Sequence, residues 1–179
     1  MHDPVPSSHL AATDDFVARA VARGRQLLEQ GAALRTVLSH LTGTVETLSA
    51  DAVASILVLD REGLLRNGAS PSLPADYLDA IDRLRPDARV GTCAAAAATG
   101  EVVVTPDFQE DSRWAELRHL PLALGFVSAW SMPIKAADGR VLGTFGTYFR
   151  RRREPTRHER DTVARLVPLA AAAITAAAA

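Results

Sequence analysis

Residues 126–149 read FVSAWSMPIKAADGRVLGTFGTYF, and this stretch decides the fold. Two runs rich in branched and aromatic residues flank Asp138-Gly139, a dipeptide suited to the positive φ of a tight hairpin turn. The reading is therefore a strand from Phe126 to Ile134, a turn, and an antiparallel partner from Val141 to Phe149. Side chains alternate along a strand. Phe126, Ser128, Trp130 and Met132 thus share one face, and Val127, Ala129 and Ser131 the other. In the partner, Leu142, Thr144, Gly146 and Tyr148 oppose Val141, Gly143, Phe145 and Thr147.

Toward the C-terminus, the basic run Arg150–Arg153 reads as solvated charge closing the strand. Pro155 and Thr156 then start a helix over 156–178 with Val163, Leu166, Val167, Ala170 and Ile174 on its apolar face. Pro168 should kink it, because proline has no N–H to give. Toward the N-terminus, Leu117–Leu124 is helical but interrupted by Pro121, and an irregular stretch carries Asp107, Asp111, Ser112 and Trp114. Val102–Thr105 is a short strand. Gly91-Thr92 precedes an alanine-rich helix with Thr92 near its N-cap and Gly100 at its end. Leu73-Pro74 opens a helix through Tyr77, Ile81 and Leu84. Ala52–Leu59 and Leu64–Asn67 form a second hairpin. Before it, helical patterns cover 14–48, with Gly24 and Gly31 as weak points, and residues 1–12 read as a disordered leader. Residues 13–179 then make one α+β domain, an antiparallel sheet of about five or six strands with helices on both faces.

Composition excludes several functions. The chain has 179 residues, 47% hydrophobic and 23% charged, with a formal net charge of −1. That supports a real core and offers no electrostatic case for nucleic acid or an anionic membrane as partner. The single cysteine, Cys93, excludes an internal disulfide or a multi-cysteine zinc site. No two histidines have metal-ligand spacing, so no metal is expected. No continuous apolar run reaches the ~20 residues a bilayer span needs, and residues 1–10 lack the layout of a secretory signal. A cytoplasmic location follows as the default.

Several strings, in order, resemble a GAF domain, a small-molecule sensor domain of bacterial signalling proteins: SILVLD at 55–60, GASPSLP at 68–74, GTCAAAAATGEVVV at 91–104, AWSMPI at 129–134, GRVLGTFGTYF at 139–149 and EPTRHE at 154–159. The resemblance covers roughly residues 30–178 and is similar to the subgroup in sensor kinases and cyclic-dinucleotide signalling proteins. It implies a pocket between the sheet and the helices around Cys93–Gly100 and Trp114. The chain departs from the pattern at Ala94, where the family carries a glycine. No kinase, cyclase, phosphodiesterase or DNA-binding segment follows within these residues.

In the resembling free methionine-(R)-sulfoxide reductases, pocket acids stand where this chain has Gly146 and Tyr148. The resemblance therefore turns Ala129, Ser131, Thr144, Gly146 and Tyr148 toward the pocket, and Trp130 and Phe145 toward the terminal helices. Those reductases also need cysteines that this chain lacks. Cys93 reads as a small buried cysteine, with a ligand-contacting or redox-sensing thiol as the other reading, since a helix N-terminus can favour a thiolate. Bilin attachment at Cys93 and haem ligation by His119 are disfavoured. Trp114 is a pocket wall or a loop staple, and Asp107 a ligand acceptor or a turn former. The candidate ligand-binding residues are thus Thr92, Cys93, Asp107, Trp114, Ala129, Ser131, Thr144, Gly146 and Tyr148, with no catalytic residue. The expected function is a non-catalytic sensor, dimeric through a parallel bundle of terminal helices, with a separate kinase or transcription factor as a further partner. The alternatives are a thiol-dependent redox protein using Cys93 and an interaction module with a filled pocket.

Overall fold

The computed structural model describes residues 7–179 in the order α1 (Ser7–Glu29), α2 (Leu34–Leu48), β1 (Ala52–Leu59), β2 (Leu65–Ala69), α3 (Ala75–Ala80), α4 (Cys93–Thr99), β3 (Val103–Thr105), a 3₁₀ turn (Ser112–Trp114), α5 (His119–Ala123), β4 (Ser128–Lys135), β5 (Val141–Phe149) and α6 (Arg157–Ala178). The strands form one antiparallel sheet in the order β2-β1-β5-β4-β3. The hairpin turn forms at Asp138-Gly139: Gly139 takes φ +87° and the Arg140 N–H donates to the Asp138 carboxylate at 3.0 Å. β5 is the central strand, buried from Leu142 to Phe149.

Helices α1, α2 and α6 cover one face. Val37, Leu38, Leu41, Val163 and Leu166 pack there against Ile56, Trp130, Ile134, Phe145 and Phe149. The other face carries α3, α4, the 3₁₀ turn and α5; there Tyr77, Trp114 and, from the loop after β3, Phe108 pack with Ala129 and Tyr148. Capping explains the helix limits. α1 ends in a Schellman motif: Gly31 takes φ +66°, its N–H donates to the Leu28 carbonyl, and that of Ala32 donates to the Leu27 carbonyl. α6 opens with a reciprocal Thr156–Glu159 capping box.

Several expectations need correction. The helix begins at Ser7, so residues 7–12 are not a leader, while residues 1–6 lie outside the described residues. Gly24 does not break α1 but gives close contact, since a Cβ there would lie 2.8 Å from Leu169 Cδ1. α3 stops at Ala80, because Arg83 takes φ +64° and Leu84 instead bridges Leu65. Phe126 precedes β4 in a turn closed on the Pro121 carbonyl, and so joins Tyr148 on the pocket face with ring centroids 5.5 Å apart. Leu142 changes face through a bulge: Ile134 pairs with Gly143 and Lys135 with Val141, leaving Leu142 as the extra residue. α6 runs through Pro168, where the bond lost is that to the Ala164 carbonyl; both residues are exposed, and water can satisfy it.

Of the four arginines after β5, Arg150, Arg151 and Arg152 are exposed, as the reading as solvated charge expects, while Arg153 is half-buried; all four nonetheless have partners. Arg150 donates to the Leu124 carbonyl and lies over the Phe126 ring, Arg151 pairs with Asp51, and Arg152 pairs with Asp107 at 2.9 Å. Arg153 reaches both Asp51 and Glu159. Apolar residues of α2 and α6, with Leu27 of α1, pack inside this domain against the sheet core. By length and composition α6 could cross a bilayer, yet its Leu166, Leu169 and Ala170 are buried in this core.

Candidate ligand pocket

Alanines let α4 lie close on the sheet. Ala94, Ala95 and Ala96 are essentially inaccessible, and Ala94, standing for the family glycine, packs with Leu57 and Leu65. Gly100 ends the helix with φ +68°. The contact is tightest at Gly146, directly under the Cys93 thiol: a Cβ there would lie 2.8 Å from Sγ and 3.2 Å from Ser131 Oγ. The side chain that carries an acid in the reductases therefore has no room here.

A buried chain of small polar groups runs below α4. Ser131 Oγ donates to Thr92 Oγ1 at 3.1 Å and lies 3.0 Å from Cys93 Sγ. Ser131 has one hydroxyl proton, so Cys93 S–H donates to Ser131. Burial pushes the thiol up, and the Ser131 hydroxyl only tempers this. The helix N-terminus therefore does not make Cys93 a thiolate, and Thr92, though at the N-cap position, spends its hydroxyl on Ser131 rather than on the helix. Tyr77 Oη donates to Tyr148 Oη at 2.9 Å, with the rings edge to face at 5.9 Å. Burial raises both phenols and Cys93 adds to this in each; at Tyr148 the neighbouring Tyr77 adds further, while at Tyr77 the hydrogen bond to Tyr148 tempers it. Tyr148→Phe leaves the Tyr77 O–H without its acceptor. It should lower Tm by about 3–6 °C, with the Tyr77→Phe/Tyr148→Phe double variant recovering part of the loss in a melting curve.

Trp114 closes the site. Its ring lies 4.3 Å from Phe108 and covers Gly91, where a Cβ would sit 3.6 Å from the indole. Asp111 anchors the turn that holds it, accepting from Thr105 Oγ1 and from Arg113 Nη2, each at 2.6 Å. Burial pushes the Asp111 carboxyl up, but Arg113 and Thr105 outweigh that and hold it below the usual range. Trp114 Nε1 is buried with no hydrogen-bond partner among the described residues, as is Thr144 Oγ1.

The cavity between these elements is ≈ 20 Å³, room for about one water. Of the expected residues, Thr92, Cys93, Trp114 and Tyr148 line it. Ser131 and Gly146 lie beneath Cys93, and Ala129 packs beside Tyr148, so they support the wall without lining the space. Thr144 is on the same face of β5 but outside the lining. Asp107 is not part of the site: its carboxylate caps the Gln109 N–H and pairs with Arg152. His119 starts α5, exposed and outside the lining. Tyr77, Ile81 and Leu84 with Leu57, Gly91, Ala94, Val90, Leu117 and Leu120 complete the walls. Sequence reasoning used Tyr77 only as a helix marker. As one of two tyrosines, beside a pocket inferred to hold the other, it was the available signal. Leu84, Val90 and Leu117 also border an outer groove with Arg85, Arg89 and Arg113, and so stand between solvent and the cavity.

A five-stranded antiparallel sheet with terminal helices on one face and short helices over a small pocket on the other defines a sensor-type α+β domain. The chain belongs to the GAF domain family, whose profile matches residues 31–175. It is 32% identical over 148 residues to a methyl sulfide methyltransferase-associated sensor of Methanosarcina acetivorans; the match covers 82% of this chain and only 15% of that protein. Among solved structures it is similar to the GAF domain of a phosphoenolpyruvate-protein phosphotransferase from Coxiella burnetii (TM-score 0.72, 18% identity, 90% and 94% of the two chains covered). It is also similar to reduced fRMsr of Staphylococcus aureus (TM-score 0.68, 13% identity, 90% and 94% covered).

Proposed function

We propose that this GAF sensor domain binds a small, neutral, planar molecule between the sheet and α3–α5, without transforming it. The observation that carries the proposal is Trp114, which lines the cavity and whose buried indole N–H has no partner among the described residues, a donor waiting for an acceptor. The other polar groups at the wall are hydroxyls and a neutral thiol, which suit hydrogen bonding to an uncharged heterocycle. The cavity volume requires Leu84, Val90 and Leu117 to move aside as the ligand enters, and that motion is the signal. A ligand shifts such an equilibrium only by its differential affinity for the open state.

Absence of catalysis belongs to the same proposal. A lone, buried thiol held neutral has no resolving partner and little thiolate to react. Cys93→Ser should therefore keep the fold and alter ligand affinity, while intact Cys93 resists alkylation until denaturant is added. Fast alkylation of the native thiol would favour the redox reading. Homodimerisation, with a separate kinase or transcription factor as partner, extends the proposal; sedimentation with and without ligand tests the first. A cytoplasmic location fits α6 being part of a protein core.

The small cavity favours one competing reading, an interaction module with a filled pocket. A thermal-shift screen of neutral aromatic and heterocyclic metabolites separates the two. A ligand at 100 times its Kd should add about 2.7 kcal/mol to stability, or roughly 5–11 °C in Tm. A flat screen supports the filled pocket.

A further inference from the structure

The opposite face of the sheet holds a second cavity, of ≈ 40 Å³, between α2, the first turns of α6 and the β4–β5 pair. Three buried polar atoms at its wall have no hydrogen-bond partner among the described residues: Trp130 Nε1, Thr147 Oγ1 and His158 Nε2. Trp130 and Thr147 are almost wholly buried, at 1% and 2% exposure. Polar atoms so placed are nearly always satisfied, and leaving one unmet carries the full cost of its desolvation. Three around one space is not a chance defect of packing.

We infer that this cavity is a built hydration site that holds about two ordered waters, joining the sheet to the start of α6. The volume fits, since one water needs ≳ 10–15 Å³ of such space. The chemistry fits as well. Indole N–H can only donate, the threonine hydroxyl does either, and the imidazole nitrogen donates or accepts according to its tautomer. An amphoteric occupant satisfies all three, whereas an apolar one would satisfy none. Ser49 and Glu159 also line the space, but their side chains are already engaged: the single Ser49 hydroxyl proton lies between the Asp51 and Glu159 carboxylates, each 3.1 Å from Oγ, and Glu159 accepts from Arg153.

The position gives the waters a role. Trp130 and Thr147 are cross-strand partners facing α6, and their chain neighbours Ser131 and Gly146 are cross-strand partners facing the thiol. His158 is the second residue of α6, inside its capping box. The hydrated seam thus lies one residue behind the candidate pocket and bears on the terminal helix. It does not depend on the sensor reading, because the unpaired atoms need satisfaction whatever the pocket binds.

Water–protein NOE and ROE spectra of the ¹⁵N-labelled protein test this at the Trp130 indole proton, which Trp130→Phe assigns. The expected result is a water cross-peak with the sign of long-lived bound water. Thr147→Val should reduce it by at least half and lower Tm by about 2–6 °C. Thr147→Ser, which keeps the hydroxyl, should retain it and serves if the valine variant does not fold. No bound-water cross-peak at the Trp130 indole would overturn the inference, as would one that survives Thr147→Val undiminished.

Discussion

Arg153→Met should unfold about 6–12 °C below the parent chain, a loss of about 3 kcal/mol read from thermal or denaturant melts. The guanidinium sits between two carboxylates, with Nη2 3.1 Å from Asp51 and 2.8 Å from Glu159, and Cζ lies 3.5 Å from the centroid of Phe149. Its side chain is only 19% exposed. Methionine keeps an apolar side chain of similar length but removes the guanidinium from the Phe149 ring and leaves Asp51 and Glu159 facing each other without a cation. Lysine should recover part of the loss, because one ammonium cannot reproduce a planar fork on two acids. The cluster ties the end of β5 to the loop before β1 and to the capping box of α6, so its removal should also raise amide exchange in the first turn of α6.

The same cluster sets a pH dependence. Burial pushes Asp51 and Glu159 up, but Arg153 and the neighbouring donors prevail and hold both below their ordinary values. A folded-state pKa below the unfolded one gives stability that is complete above the unfolded value and lost as pH falls through the folded one. The gap between the parent chain and Arg153→Met should therefore be constant near neutrality and narrow below about pH 4. A gap that widened in acid would contradict the assigned pairing.

Gly146→Val is the other severe substitution, with an expected loss of about 3 kcal/mol, the upper end for overpacking a well-filled core. The new Cβ would stand 2.8 Å from Cys93 Sγ, and α4, which carries the thiol, packs closely on β4 and β5. Gly146→Ala should cost less, and Cys93→Ala should rescue it, so that the double variant is more stable than the sum of the single effects requires. Such non-additivity marks two residues that compete for one space. Additive losses would mean that α4 does not sit where the structure has it.

The hairpin and the alternation that sets Trp130 against Ser131 and Phe145 against Tyr148 were legible because a regular pleat and a turn dipeptide carry that information locally; which face meets the pocket came from the resemblance, and the strand order from the structure alone. Leu142 and Phe126 were misread where regularity fails: one is the extra residue of a bulge, the other belongs to a turn after Gly125 at φ +80°. The partners of Arg150–Arg153 and of Asp107 were illegible for another reason. Asp51 and Glu159 converge on Arg153 from opposite ends of the domain, and no local pattern announces such a meeting. Amphipathic spacing marked the terminal helices as having an apolar face, but spacing does not say whether a sheet or a second subunit covers it. The site was legible as a neighbourhood, from the resemblance, while Tyr77 and the outer wall of Leu84, Val90 and Leu117 depended on how loops close.

The central claim is that the space beside Cys93 and Trp114 opens to admit a small neutral ligand. A ¹H–¹⁵N titration of the protein with a set of neutral heteroaromatic compounds tests it most directly. The account predicts saturable shifts at the Trp114 indole and at the amides of Gly91, Cys93 and Gly146, with protection changes over residues 81–90 and 114–120. Compounds that leave those resonances in place, or shift only residues elsewhere on the surface, would contradict it.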